Sequence, residues 1–157
     1  MIEAERFVAR ALARCRRVSA GARELHPLLS PHLPFGGTDL DVLDLAARTA
    51  AVAFIKRFEQ LQDLLTRLAR AIVNFEGDDG AAMTQRDLGN WLEKRALLDD
   101  VERWMVVARL RNRLVHEYPI EEAEQVLRLN ESWALAPLLY HLTDQLGSFA
   151  EHKGIVA

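Results

Sequence analysis

From Leu40 to Ile72 the apolar residues recur at steps of three or four: Leu40, Leu43, Ala47, Ala51, Phe54, Phe58, Leu61, Leu65, Leu68 and Ile72. That spacing lays one continuous stripe along an α-helix. No Gly or Pro interrupts it before the "EGDDG" stretch, which reads as a stop and turn. A single helix is therefore predicted over Leu40–Phe75, with Asp39 as its N-cap. At 1.5 Å per residue it would run about 50 Å.

The rest of the chain repeats this logic on shorter scales. Residues Ile2–Leu25 place Ile2, Phe7, Ala11 and Ala13 among six arginines and predict a first helix. His26–Thr38, "HPLLSPHLPFGGT", holds three prolines and two glycines and predicts a loop. Its Leu28, Leu29, Leu33 and Phe35 imply that it packs on the body. Thr84 with Asp87 three residues on forms a weaker capping box, which starts a short helix through "QRDLGNWLEKRALL". Asp99 and Asp100 stand where negative charge favours the next helix start. That helix should run from Val101 to about His116 or Tyr118, because Pro119 disfavours a helical residue before it. A last helix is predicted from near Glu121 to about Lys153, with Pro137 as a possible kink. Short loops between long amphipathic helices imply antiparallel neighbours. The predicted fold is all-α, an up-and-down bundle of about five helices in one domain spanning residues 1–157.

Composition narrows the class without naming a function. The 157 residues are 50% hydrophobic and 27% charged, as in a globular chain large enough to bury a core. The formal net charge of −3 argues against a generally basic nucleic-acid coat and leaves room for a local patch. Of the 20 basic residues 17 are arginine, whose planar fork suits phosphate. Cys15 is the only cysteine, so no intrachain disulfide can form. The N-terminus alternates apolar and charged residues, unlike a signal peptide. No apolar run approaches the roughly 20 residues of a membrane span. A cytoplasmic location is expected, with no membrane contact.

Few chemistries remain. None of the five histidines has a Glu three residues before it, and there is no Cys pair, so neither a di-metal carboxylate site nor a zinc site is predicted. No Gly-rich phosphate loop is present, and no cofactor is expected. The stretch "ARLRNRLVHEYP", Ala108–Pro119, differs from the rest. From Arg103 to His116 there are four arginines and no acidic residue, a local positive field able to attract a polyanion. A solvated arginine face at a helix C-terminus would look the same. At about 100° per residue, Arg109, Asn112, Arg113 and His116 share one side of a straight helix, and Arg111 lies about 140° from His116. Arg111 can join His116 only if the last turn unwinds or if two copies of the helix meet. A histidine can take a proton from a ribose 2′-hydroxyl or give one to a leaving 5′-oxygen. An arginine can stabilise charge building on the phosphate. Such a set suffices for metal-free RNA cleavage through a 2′,3′-cyclic phosphate.

"RNRLVHEY", Arg111–Tyr118, matches R-N-x-x-x-H-x-Y and resembles the signature of the HEPN superfamily, in the form carried by HepT-like toxins. The wider segments "LEKRALLDDVERWMVVARLRNRLVHEYP" and "FIKRFEQLQDLL" are similar to that family too. The resemblance implies that Arg111 and His116 are the catalytic pair of a metal-independent endoribonuclease, with Asn112 the polar residue beside the arginine. It implies that Tyr118 is the tyrosine to which a cognate nucleotidyltransferase antitoxin adds AMP, silencing the toxin. It also implies a homodimer with the two motifs meeting in a cleft, which would bring in Arg111. Arg109 and Arg113 match no named catalytic position and stand as candidate RNA or partner contacts, or as surface. Some relatives of this bundle serve instead as a non-catalytic subunit that presents substrate or nucleotide to a nucleotidyltransferase.

Overall fold

A computed structural model of the chain describes residues 2–157, and every regular element among them is helical. The elements are α1 (Glu3–Arg23), α2 (His26–Leu29), α3 (Leu45–Phe75), α4 (Gln85–Lys94), α5 (Val101–His116) and α6 (Glu122–His152), with 3-10 turns at Leu40–Val42 and Gly80–Ala82. Five of these are long enough to form the predicted bundle, and α2 is a single turn. No helix of the described residues is long and apolar enough to cross a membrane.

The stripe of α3 sits at the centre. Phe54, Leu65, Leu68 and Ile72 are fully buried, and each contributes roughly 1.5–3 kcal/mol by leaving water. α3 packs against α1, α5 and α6, while α4 lies on α5. The α4–α5 seam depends on Gly89, where a Cβ would come within 3.0 Å of the Trp104 ring and 3.1 Å of Val101.

The element boundaries differ from expectation at three places. α3 begins at Leu45, not Leu40. Asp44 is its N-cap and accepts from the Ala47 N–H at 2.8 Å, whereas Asp39 caps the 3-10 turn through the Asp41 N–H at 2.9 Å. Leu43 between them is extended. Several Asp side chains compete for the same backbone donors here, and the break lets both Leu40 and Leu43 turn into the core. α4 stops at Lys94 rather than continuing through "RALL". Ala96 takes φ +55°, and the Leu97 and Ala96 N–H groups return to the Leu92 and Glu93 carbonyls at 3.0 Å each. That is a Schellman end made without glycine, and burial of Leu97 and Leu98 accompanies it. The expected loop at His26–Thr38 opens with the helical turn α2, which tolerates Pro27 because it lies in the first turn. The segment does pack on the body: Leu29 is buried, and the Asn130 side chain bonds both the N–H and the carbonyl of Phe35 at 2.7 and 2.9 Å. Leu28 stays exposed. α6 remains helical through Pro137.

Candidate functional site

The motif stretch forms the last turns of α5 and the extended segment after it. α5 starts at its expected cap, Asp100, which accepts from the Glu102 N–H at 2.9 Å. Val101, Trp104, Val107, Ala108 and Leu110 point inward and set the rotation of the helix. The polar residues that follow are thereby turned outward.

Arg111 faces α3. Its Nη2 donates to Asp63 Oδ1 at 3.3 Å, and its Nη1 donates to Asn112 Oδ1 at 3.3 Å. The side chain is 26% exposed, and its Nε is buried without a hydrogen-bond partner. Arg113 turns the other way and pairs with Glu131 of α6 at 2.7 Å. Arg109, Asn112 and Arg113 line one shallow cleft of about 480 Å³ with Val106, as the helical angles require. His116 is exposed at the end of the helix.

The last turn does not unwind. The Glu117 N–H still donates to the Arg113 carbonyl at 2.9 Å, and only then does the chain become extended. Arg111 and His116 therefore stay on different sides of α5, and no hydrogen bond joins them among the described residues. Tyr118, 90% exposed, lies beyond the helix in a cleft of about 330 Å³ between this segment and the start of α3. Exposed Val52 and Ile120 line the same cleft.

Two positioning residues escaped the sequence reading. Asp63 holds Arg111, and it also pairs with Arg67 one turn along at 3.2 Å. Arg128 of α6 holds the end of α5. It is 5% exposed and donates to the Glu117 carbonyl at 2.6 Å and the Arg113 carbonyl at 3.4 Å, while pairing with Glu124 at 3.2 Å. It thus gives the Glu117 carbonyl, just past the helix end, a partner and adds a second donor to the Arg113 carbonyl. The only local signals were the i,i+4 spacings Asp63–Arg67 and Glu124–Arg128, which are common on any helix.

Chemically, the site offers a half-buried guanidinium, an amide, an exposed imidazole and an exposed phenol within eight residues, all at one end of a rigid helix. Those groups can bind a phosphodiester, move protons and accept a transferred group. The family model described as nucleotidyltransferase substrate binding protein like matches residues 38–141, more than half of the chain and all of the motif. Neither a curated protein nor a solved structure matches it. The chain belongs to the nucleotidyltransferase substrate binding protein like family, a family of HEPN-like fold.

Proposed function

We propose that this chain is the helical partner of a nucleotidyltransferase and acts as a toxin of a toxin–antitoxin pair, cleaving RNA in the cytoplasm without a metal. The observation that carries the reading is the placement of the R-N-x-x-x-H-x-Y residues, with His116 and Tyr118 exposed at the end of α5 and Arg111 half-buried against α3. His116 takes the proton of a ribose 2′-hydroxyl, and the freed oxygen attacks the adjacent phosphorus. The bond to the 5′-oxygen breaks and that oxygen takes a proton, leaving a 2′,3′-cyclic phosphate and a 5′-hydroxyl. Arg111, steadied by Asn112, stabilises the charge on the phosphate.

A straight α5 keeps Arg111 and His116 apart in one protomer, which favours a homodimer whose second copy supplies the missing group and the second proton transfer. The exposed Val52, Tyr118 and Ile120 support a protein partner at this end, since clustered exposed apolar groups mark such contacts. The nucleotidyltransferase silences the toxin there: the Tyr118 phenol oxygen attacks the α-phosphorus of ATP, and pyrophosphate leaves. Arg109 and Arg113 serve as RNA or partner contacts.

A second reading has its own support. The family description and the tie of Arg111 to Asp63 favour a non-catalytic subunit that binds substrate for the nucleotidyltransferase. Incubation of the purified chain with single-stranded RNA separates the two. The toxin reading expects cleavage, reduced by about a hundredfold or more in both Arg111→Ala and His116→Ala. It also expects one added AMP on Tyr118 after treatment with the nucleotidyltransferase and ATP, read by mass spectrometry. Intact RNA together with a stable complex of the two proteins would establish the binding subunit instead.

A further inference from the structure

A groove between α1 and α3 lies outside the R-N-x-x-x-H-x-Y motif. From Arg6 to Arg23, α1 carries six arginines and no acidic residue. At 100° per residue, Arg10, Arg14, Arg17 and Gly21 fall within about 60° of one another, on the edge of α1 that meets α3. Arg14, Arg17 and Gly21 line a cleft of about 430 Å³ with Arg57 and Gln60 of α3 and a single acidic residue, Glu24.

The arginines of this cleft are uncompensated. Arg10 and Arg16 of the same helix pair with Glu3 and Glu151. Among the described residues, no ion pair reaches Arg14, Arg17 or Arg57. Arg57 has its Nε buried with no hydrogen-bond partner, packed where a Cβ on Gly21 would stand 3.0 Å away. Glycine there leaves the room that the guanidinium occupies. Three free guanidinium groups in a chain of net charge −3 oppose folding by mutual repulsion, and an anion between them would relieve it.

The groove also leads somewhere. Gln60 at its open edge is one helical turn from Asp63, the residue that holds Arg111 and Arg67. The groove thus opens toward the Arg67–Asp63–Arg111 cluster, where two arginines flank one carboxylate. An extended polyanion fits this arrangement better than a single phosphate does. We infer that the Arg14–Arg17–Arg57 groove binds the sugar–phosphate backbone of single-stranded RNA and guides it toward the Arg111 end of α5.

The choice of RNA rests on the function proposed above, and the test keeps the two separate by using a strand that cannot be cleaved. Binding of the full chain to a 2′-O-methyl RNA oligonucleotide is measured by fluorescence anisotropy over a range of salt. Arg14→Gln/Arg17→Gln is expected to weaken binding about tenfold or more and to flatten the salt slope by about 1.4, the value for two phosphate contacts on a single strand. A charge-matched control outside the groove and the α5 arginines, Lys94→Gln/Lys153→Gln, should change both much less, and thermal melting verifies that each variant folds. Equal losses in the two double variants, or binding unchanged in the first, would overturn the proposal. So would binding to phosphatidylserine vesicles with none to the oligonucleotide, which would make the groove a membrane contact. Groove-dependent binding without any cleavage of ordinary RNA would leave the groove standing and remove the nuclease.

Discussion

Among the described residues Arg128 is the only charged residue that is buried, and it carries no motif chemistry of its own. Its guanidinium spends its hydrogen bonds on the carbonyls that close α5 and on Glu124. Hydrogen bonds to a charged group contribute about 1.5–3 kcal/mol each, and their loss here would take from the Glu117 carbonyl its protein partner. Arg128→Ala is therefore expected to lower stability by about 2–3 kcal/mol in urea unfolding. It should also speed hydrogen exchange at residues 113–118, and exchange as slow as in the parent would show that α5 closes without it. The Asp63–Arg111 pair works differently. Both partners are about a quarter to a third exposed, at 26% and 36%, so solvent screens the attraction and the pair orients Arg111 more than it stabilises the fold. Cys15 completes the residue scale: burial pushes its thiol up to about 12, so it is a packing residue and not a nucleophile.

At the scale of elements, the close approach of α4 to α5 is the feature most sensitive to one side chain. "DLGNW" places a glycine in mid-helix, where it is costly in isolation. The cost is offset because Trp104 and Val101 occupy the space a side chain would need. Gly89→Val should force these apart and destabilise the chain by about 1–3 kcal/mol, read as a lower melting temperature. An unchanged melting temperature would mean that the seam is looser than its distances indicate. Helix existence and type were legible from periodicity, as in the stripe from Ala47 to Ile72 and the start of α5 at Asp100. The starts and stops were less so. Asp39 and Asp44 are equally good caps by composition, and which one begins α3 depends on Leu40 and Leu43 both reaching the core. Nothing local marks Ala96 for a left-handed conformation, because the buried Leu97 and Leu98 impose it from outside the turn.

At the scale of the whole molecule, α2 and α6 meet in a contact whose strength depends on pH. His26 of α2 meets the Tyr140 hydroxyl of α6 at 2.9 Å and lies among the rings of Trp133 and Phe54. Burial, and then the charge of Arg23, holds His26 below its ordinary value, so the neutral imidazole is the form that fits the fold. Burial pushes Tyr140 up to about 12, so its hydroxyl keeps its proton to share in that bond. The unfolded chain takes up the His26 proton first as pH falls, so this contribution is present above about pH 6.5 and is lost as pH falls below it. The melting temperature should therefore drop between pH 7 and pH 5 by more in the parent than in His26→Gln. Parallel pH profiles in the two would assign the acid sensitivity elsewhere.

Periodicity, capping residues and the absence of Gly and Pro from Leu40 to Phe75 determined by themselves that this chain is a helical bundle, because they act through contacts three and four residues apart. They also determined that Arg109, Asn112 and Arg113 share a face, since helix geometry alone requires it. Only the tertiary structure decided that Arg111 turns to Asp63, that Arg128 closes α5 and that Arg57 lies on Gly21. Each of those contacts joins residues more than ten positions apart. Their partners are chosen by how the apolar stripes pack, and no local pattern records that choice.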